Sequence, residues 1–282
     1  MCRNAIELTG VTKKFSDFTL GPIDLEIPTG SIVGYIGQNG AGKSTTLKLI
    51  LGLMTPDAGE ITVLGETNPK DAYVKDRLGV VFDDLHLPEE LDVTDIEAFC
   101  RRVYRTWDRD EFMNHIARFA LPKKKAVKDF SRGMRMKLSL AIALSHGAEL
   151  LLLDEATSGL DPIVRDEILE ELMDFMQDEM HTILISSHIT SDLEKVADYI
   201  AFIDHGKLVF LSPKDELTET YGLVSLSNEE MAALDPAAVV GQRSHAFGKE
   251  ALVVRSLVPA DLVVDKPSIE DIMLYLSKGG AK

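Results

Sequence analysis

The stretch SIVGYIGQNGAGKSTTLKLI, residues 31–50, decides the fold. Its first seven residues form a short apolar run typical of a buried strand, and apolar positions recur with a helical period from about residue 47. Between them GQNGAGKST, residues 37–45, fits the pattern G-x-x-x-x-G-K-[ST] in the strand–loop–helix context that this pattern needs. Average residue usage gives such a match by chance in roughly one chain in a hundred of this length. The stretch therefore predicts a phosphate-binding loop.

Each residue type in this loop has a chemical reason. Glycines let the backbone curl so that its N–H groups point at phosphate oxygens, and the following helix N-terminus favours anions. Lys43 can reach the β- and γ-phosphates of a nucleotide, and the Ser44 hydroxyl can ligate Mg²⁺. The nucleotide-binding residues expected from the loop are Gly37, Asn39, Gly40, Ala41, Gly42, Lys43, Ser44 and Thr45.

The rest of the chain has the strand and helix patterns of an α/β protein. Residues 5–15 and 18–27 predict an N-terminal antiparallel β part, and Leu47 to Met54 predict a helical face that ends near residues 52–56. Residues 85–147 have a helical pattern with almost no strand signal, which predicts an inserted α-helical subdomain. From residue 149 strands alternate with helices, and continuous apolar runs such as LLLL at 150–153 indicate a mostly parallel sheet.

The predicted fold is a P-loop nucleoside triphosphatase core followed by a smaller region. After about residue 222 the alternation weakens, and a small α+β appendage is expected to end in a helix at 269–276. We therefore divide the chain into a nucleotide-binding domain, residues 1–222, and an accessory region, residues 223–282.

Polar side chains stand where predicted strands end. In LLLLDEA, residues 150–156, the buried run is followed by Asp154, a hard oxygen donor suited to Mg²⁺, and Glu155, which can polarise an attacking water. His188 follows the strand TILISS. Taken alone, an acidic strand end can simply face solvent, and a single histidine is more often structural. Beside a phosphate loop, on the sheet edge where α/β proteins bind ligands, catalytic roles are favoured.

The composition narrows the class of protein. The chain has 282 residues, 45% hydrophobic and 27% charged, as in an ordinary globular protein. With 30 basic and 46 acidic residues its net charge is −16, and such a surface repels phosphate backbones, so nucleic acid is not expected as a partner. Cys2 and Cys100 have no metal-ligand spacing, which excludes a zinc module. Apolar runs fall short of the roughly 20 residues that span a bilayer, so another chain must supply any membrane part.

GQNGAGKST, LLLLDE, SGLD (residues 158–161) and His188, in this order, resemble the nucleotide-binding subunit of an ATP-binding cassette (ABC) transporter over about residues 4–222. The resemblance places Phe15 where the family stacks an aromatic ring, commonly tyrosine, on adenine. Phe18 is the alternative for that position. It also places Asp161 of SGLD among the nucleotide-binding residues. A phenylalanine serves for stacking because only the ring face is needed.

The family's signature loop has its counterpart in FSRGM, residues 130–134. Ser131 is a residue type that caps helix N-termini, and Gly133 lets the backbone approach phosphate; both are expected to bind nucleotide. Arg132 replaces a glycine and Met134 the usual glutamine. The arginine could add positive charge near the γ-phosphate or could point into solvent.

A larger departure follows the predicted strand LGVVF, residues 78–82. The family carries a glutamine in the next loop, but this chain has Asp83 followed by Asp84. A carboxylate can bind Mg²⁺ more strongly than an amide can, although the shorter side chain changes its reach. The metal ligands expected are Ser44, Asp83 and Asp154.

The resemblance implies a homodimer or heterodimer that sandwiches two ATP molecules with Mg²⁺ and drives a separate transmembrane permease from the cytoplasmic face of the membrane. The closing KPSIEDIMLYL, residues 266–276, resembles exporter ATPases of the bacitracin and phenol-soluble-modulin type. ATP-binding and ATP-hydrolysing activity is therefore expected. The alternative is a nucleotide-gated regulatory module with little or no turnover, because Asp83 and Arg132 depart from the pattern.

Overall fold

The computed structural model describes residues 4–85, 87–245 and 248–279; Cys2 lies outside them, and Cys100 is a buried free thiol. In chain order the strands are β1 (Asn4–Lys14), β2 (Thr19–Pro28), β3 (Ile32–Ile36), β4 (Ala58–Val63), β5 (Leu78–Val81), β6 (Leu150–Asp154), β7 (Thr182–Ser187), β8 (Tyr199–Asp204), β9 (Lys207–Pro213), β10 (Tyr221–Leu226), β11 (Val239–His245) and β12 (Gly248–Val254). The helices are α1 (Lys43–Ile50), α2 (Ala72–Asp76), α3 (Val93–Val103), α4 (Arg109–Arg118), α5 (Arg132–Leu144), α6 (Pro162–Phe175), α7 (Thr190–Val196), α8 (Lys214–Thr220), α9 (Asn228–Ala233) and α10 (Ile269–Gly279).

A six-stranded sheet in the order β5-β6-β7-β3-β8-β9 forms the centre of the fold. All neighbouring strands run parallel except β8 and β9, which pair antiparallel. Because parallel strands end at one edge, the phosphate loop after β3 and the polar residues after β6 and β7 meet there. The expected mostly parallel sheet is confirmed, with β9 as an antiparallel edge strand.

The apolar run in β6 explains how the sheet is covered. Leu150 and Leu152 belong to one buried cluster, and Leu151 and Leu153 belong to another. Successive strand residues point to opposite faces, so a continuous leucine run fits a strand buried on both sides. One face packs against the antiparallel sheet β2-β1-β4, which confirms the predicted N-terminal β part.

The inserted helical subdomain is made of α3, α4 and α5. Asp92 and Asp95 form a capping box at the start of α3, and Asp108 accepts from Glu111 N–H at the start of α4. Between residues 85 and 147, the described part of the chain contains helices and turns but no strand. The predicted helical insertion is therefore confirmed.

One boundary differs from the sequence expectation. Helix α1 ends at Ile50, so Leu51 is its C-cap and Met54 lies beyond the helix. Gly52 follows with φ of 65°, a left-handed conformation that stops helices. The apolar period continued past the helix because Met54 still packs against the core from the turn.

The C-terminal appendage is a three-stranded antiparallel sheet, β10-β12-β11, with helix α10 packed on it. Helix α10 covers the predicted segment 269–276 and continues to Gly279. Strand β10 begins at Tyr221, next to the boundary placed at 222, and that division into domains stays a prediction.

Candidate functional site

The phosphate loop wraps the start of α1. Gly42, with φ of 113°, is the N-cap of this helix, and Gly40 has φ of 82°. A Cβ on Gly42 would lie 2.6 Å from Leu20 Cδ1, and one on Gly37 would lie 2.4 Å from the carbonyl oxygen of Ile203. Side chains are therefore excluded at both positions. Residues 38–40 are exposed, so the curled backbone opens to solvent as an anion-binding cradle.

Lys43 lies buried inside this loop. Its Nζ donates to the carbonyl oxygens of Gly37 at 2.7 Å and Gln38 at 3.3 Å. The same ammonium lies 3.3 Å from Glu155 Oε1, and His188 Nδ1 lies 2.6 Å from Glu155 Oε2. The structure thus brings the predicted lysine, glutamate and histidine into one cluster in which Glu155 is held between two nitrogen groups.

Glu155 has a backbone conformation that sequence patterns do not reveal. Its φ is 54°, a left-handed value that costs energy for a residue with a side chain. The Glu155 N–H donates to Ser186 at both its carbonyl oxygen, 3.1 Å, and its Oγ, 3.2 Å. This strained turn directs the carboxylate away from β6 and toward Lys43 and His188.

Ser186 is a site residue that the sequence reasoning missed. It is buried on β7 directly beside Asp154 in register, and its Oγ donates to Asp154 Oδ1 at 2.6 Å. The hydroxyl therefore fixes the first carboxylate while accepting from the amide of the second. The available signal was a pair of serines, Ser186 and Ser187, that ends the strand directly before His188.

The residues predicted to bind metal lie around the same edge. Ser44 is in the first turn of α1, Asp154 is buried at the end of β6, and Asp83 is exposed two residues after β5. Within the described ranges no three His, Cys, Asp or Glu side chains form a metal-binding group. One hydroxyl and two carboxylates suit a hard cation that takes its remaining ligands from phosphate and water. The donor set therefore fits Mg²⁺ bound together with a nucleotide.

Two phenylalanines flank the turn between β1 and β2. Phe15 is 43% exposed, while Phe18 packs into the core beneath the phosphate loop, with its ring near Gly42 and Gly206. Their ring centroids are 6.2 Å apart. Phe15 is the ring with a free face, which favours it over Phe18 for adenine stacking; that role stays a prediction.

The signature loop lies at the start of α5. Ser131 Oγ accepts from Met134 N–H at 3.2 Å as the helix N-cap. A Cβ on Gly133 would come within 3.1 Å of Val164 in α6. Across the described ranges, neither Ser131 nor Gly133 has a hydrogen bond or ion pair with the cluster around Glu155. Their predicted contact with nucleotide stays a prediction.

Arg132 lies against the SGLD loop of its own chain. An ideal Cβ on Gly159 of SGLD would lie 2.9 Å from an Arg132 guanidinium nitrogen. The guanidinium therefore covers the glycine of the SGLD loop while the side chain stays exposed. The signature loop thus rests on the SGLD loop, and the two alternatives for Arg132, a place near the γ-phosphate or a position in solvent, both stay open.

Asp161, the last residue of SGLD, caps α6. Its Oδ1 accepts from the N–H groups of Ile163 and Val164, each at 3.1 Å. The structure gives this carboxylate a structural role in its own chain, and its predicted place among nucleotide-binding residues is untested.

A buried ion pair joins the helix after SGLD to the helix after His188. Arg165 of α6 lies with its Nε 3.6 Å from Asp192 Oδ2, and its guanidinium also donates to the Leu160 carbonyl oxygen at 3.4 Å. Asp192 is buried in α7, and Oδ2 has no hydrogen bond. Lys195 and Asp166 join the same helices at the surface, 3.1 Å apart. Two ion pairs therefore join the helix that follows the SGLD loop to the helix that follows His188.

The fold and the site define a P-loop ATPase in which a lysine, a strained glutamate and a histidine converge beside an anion cradle. The sequence model of the ABC transporter family matches residues 20–158 of this chain. The chain belongs to this family, among its ATP-binding, ATP-hydrolysing subunits. The predicted family, fold and ATPase class are thereby confirmed.

Two curated relatives show the extent of the match. Bacitracin transport ATP-binding protein BcrA of Bacillus licheniformis is 35% identical, covering 75% of this chain and 71% of that protein. Nod factor export ATP-binding protein I of Rhizobium sp. (strain N33) is also 35% identical, over 98% of both chains. The second alignment includes the C-terminal appendage.

Solved structures agree on the fold. An ATP-binding subunit of an ABC transporter superposes with a TM-score of 0.69 at 25% identity, covering 76% of this chain and 91% of that one. A dimeric ATP-binding cassette bound to ADP and Pi in a post-hydrolysis state has a TM-score of 0.66 at 23% identity, covering 74% and 98%.

Proposed function

We propose that this chain is the ATP-hydrolysing subunit of a membrane exporter, with Glu155 as the residue on which turnover depends. The observation that carries the proposal is the contact of Glu155 with both Lys43 and His188 at the mouth of the phosphate loop. The names of the relatives, one for bacitracin transport and one for Nod factor export, support an exporter.

In the described arrangement the Lys43 ammonium neutralises Glu155. Phosphate oxygens of a bound nucleotide compete for this ammonium, because Lys43 sits inside the loop that binds them. Once Lys43 turns to phosphate, Glu155 is free to orient a water molecule and accept its proton. His188, still hydrogen-bonded to the other carboxylate oxygen, keeps Glu155 in place.

Ser44, Asp83 and Asp154 would hold Mg²⁺ together with the nucleotide. The ion would neutralise phosphate charge during transfer. Ser186 fixes Asp154 by its 2.6 Å hydrogen bond, so this carboxylate keeps one orientation whether or not nucleotide is bound.

A second protomer completes the site. Ser131 caps α5 and Gly133 packs near Val164 of α6, and we expect both to serve the nucleotide of a partner. The free N–H groups at the start of α5 then supply the same kind of anion-binding terminus as α1 does.

A permease is proposed to dock on an apolar groove beside the Asp83 loop. Leu53 is 64% exposed and Val103 54% exposed, and both line this groove with Leu51, Val80 and Tyr104. In the part of the chain that the structure describes, no helix has the length and apolarity needed to span a bilayer. The occupant that fits is an amphipathic segment of a separate membrane protein, which would hold this chain peripherally at the cytoplasmic face of the membrane.

Glu155→Gln tests the proposal. The variant keeps the shape of the side chain but cannot accept a proton, so ATP hydrolysis should be lost while ATP binding remains and an ATP-bound dimer accumulates. Phosphate release and light scattering measure the two effects. Glu170→Gln, on the exposed face of α6, is the matched control and should keep wild-type turnover.

Binding without turnover by the wild-type chain together with its permease would refute the motor and favour the regulatory alternative. A Glu155→Gln variant that hydrolyses ATP normally would remove Glu155 from the proposed role.

A further inference from the structure

Helix α7 holds the loop of His188, and it is only seven residues long. It begins two residues after the histidine, and Ile189 at its N-cap makes no side-chain capping bond. Helices this short do not persist in water unless other parts of the protein pack on them. The position of His188 therefore depends on what holds α7.

The C-terminal helix α10 packs on α7. Leu193 and Val196 of α7 belong to the same buried cluster as Ile269, Ile272 and Tyr275 of α10. Apolar burial of this kind is a main source of stability for short helices. Part of the support for α7 therefore comes from the accessory region rather than from the nucleotide-binding domain.

Glu194 fixes the two helices to each other. Its Oε1 accepts from the Ile269 N–H at 2.6 Å, at the start of α10, where unpaired N–H groups and the helix dipole favour a carboxylate. The Glu194 carbonyl oxygen accepts from Lys214 Nζ at 2.8 Å. Glu194 is thus a junction between α7, α8 and α10.

Helix α10 is in turn tied to the sheet of the appendage. Tyr275 Oη donates to Glu250 Oε1 at 2.7 Å, and Arg243 pairs with the same glutamate at 2.5 Å. A displacement of this sheet is therefore passed to α10.

The far side of α10 faces the nucleotide site. Met273 and Leu274 line one cleft together with Gly37 of the phosphate loop and His188. The imidazole of His188 is 45% exposed toward solvent while it contacts Glu155. Helix α10 therefore forms one wall of the cleft that the imidazole borders.

From these contacts we propose that α10 positions His188 through Glu194, so that the accessory region sets the rate of ATP hydrolysis. The proposal rests on the function proposed above. Glu194 is a positioning residue: it touches neither nucleotide nor Glu155, and it acts by holding α7. The hydrogen bonds of Glu194 to Ile269 and Lys214 involve neither α1 nor the β1–β2 turn, so its replacement should leave ATP affinity unaffected.

Glu194→Ala in the 282-residue chain removes the acceptor for the Ile269 N–H. We expect kcat to fall about tenfold while KM for ATP stays within about twofold, the signature of an interaction that serves turnover rather than binding. Glu194→Gln retains an oxygen acceptor and should restore kcat to within about threefold of wild type. Glu219→Ala, an exposed glutamate of α8, is the matched control and should leave both constants unchanged.

A double-mutant cycle tests whether Glu194 acts on turnover through His188. In single-turnover measurements on the His188→Ala background, Glu194→Ala should cause no further loss, because its effect passes through the histidine. Losses that multiply would show an independent action and overturn the proposal, as would an unchanged kcat in Glu194→Ala.

Hydrogen exchange separates this inference from the proposed function. Amides of α7 should exchange faster in Glu194→Ala than in wild type, whereas amides of α1 should not. Absence of wild-type turnover with faster α7 exchange would refute the ATPase function alone. Normal wild-type turnover with unchanged α7 exchange in the variant would refute the role of Glu194 alone.

Discussion

Removing one partner of the ion pair between Arg165 and Asp192 should strongly destabilise the cassette. Asp192→Asn removes the charge with little change of shape and leaves the guanidinium half-buried. Breaking a buried pair from one side costs roughly 3–5 kcal/mol. Here Nε and Oδ2 are 3.6 Å apart and both atoms are buried, but the Arg165 side chain as a whole is 26% exposed and keeps part of its contact with water. We therefore expect a loss of about 2–3 kcal/mol in the free energy of unfolding.

Urea unfolding followed by far-UV circular dichroism measures this loss. With a denaturant dependence of about 3 kcal/mol per molar, the midpoint should fall by roughly 0.7–1 M. Asp166→Asn is the matched control, because Asp166 pairs with Lys195 across the same two helices at 3.1 Å with side chains 60% and 58% exposed. Such a surface pair contributes about 0.5 kcal/mol or less.

The double replacement Arg165→Met with Asp192→Leu should recover most of the lost stability, because it removes the unpaired charge along with its partner. Equal midpoint shifts for Asp192→Asn and Asp166→Asn would refute the reasoning, since burial would then have no influence on the strength of the pair.

Three further predictions concern other parts of the molecule. Phe15→Ala should weaken ATP binding about tenfold, because stacking on a base contributes roughly 1–3 kcal/mol; fluorescence titration measures this, and unchanged affinity would exclude Phe15 as the adenine contact. Burial lowers the pKa of His146 to about 4, so below pH 6.5 the unfolded chain binds a proton that the native chain does not. The free energy of unfolding should therefore fall by about 3 kcal/mol between pH 6.5 and 4. In His146→Phe, which keeps a ring against Tyr104, the urea midpoint should depend much less on pH over that range. Equal pH dependence of the midpoint in wild type and variant would contradict this. If Arg132 contacts the γ-phosphate of the nucleotide held by a second protomer, Arg132→Gly should weaken ATP-driven dimerisation about tenfold, because a hydrogen bond to a charged group is worth roughly 1.5–3 kcal/mol. Unchanged dimerisation in light scattering would show that the arginine only covers Gly159.

The parts of the fold that sequence could predict are those encoded within a few consecutive residues. The phosphate loop is one, because its glycines, Lys43 and Ser44 are fixed by spacing along the chain. The leucines of β6 are another, since a strand buried on both faces must be continuously apolar. Asp154 and Glu155 follow from their position at the end of that strand.

Contacts between distant segments could not be predicted. Ser186 acts on Asp154 only because β7 lies beside β6 in a particular register, 32 residues further along the chain. Glu194 and Ile269 are 75 residues apart, and neither residue type signals the bond between them. The left-handed backbone of Glu155 is likewise invisible, because glutamate rarely adopts it and only the surrounding turn enforces it.

Because of these long-range contacts, two parts of the site are held in place by different elements of the fold. Lys43 and Phe15 are held by elements of the phosphate loop and the N-terminal sheet, whereas His188 is held by α7. Helix α7 is joined to α6 by Asp192 and to α10 by Glu194. Variants of the first part should change KM for ATP, and variants of the second should change kcat. The SGLD loop and the accessory region would then regulate hydrolysis through one seven-residue helix, so a substitution at either end should produce the same kinetic change.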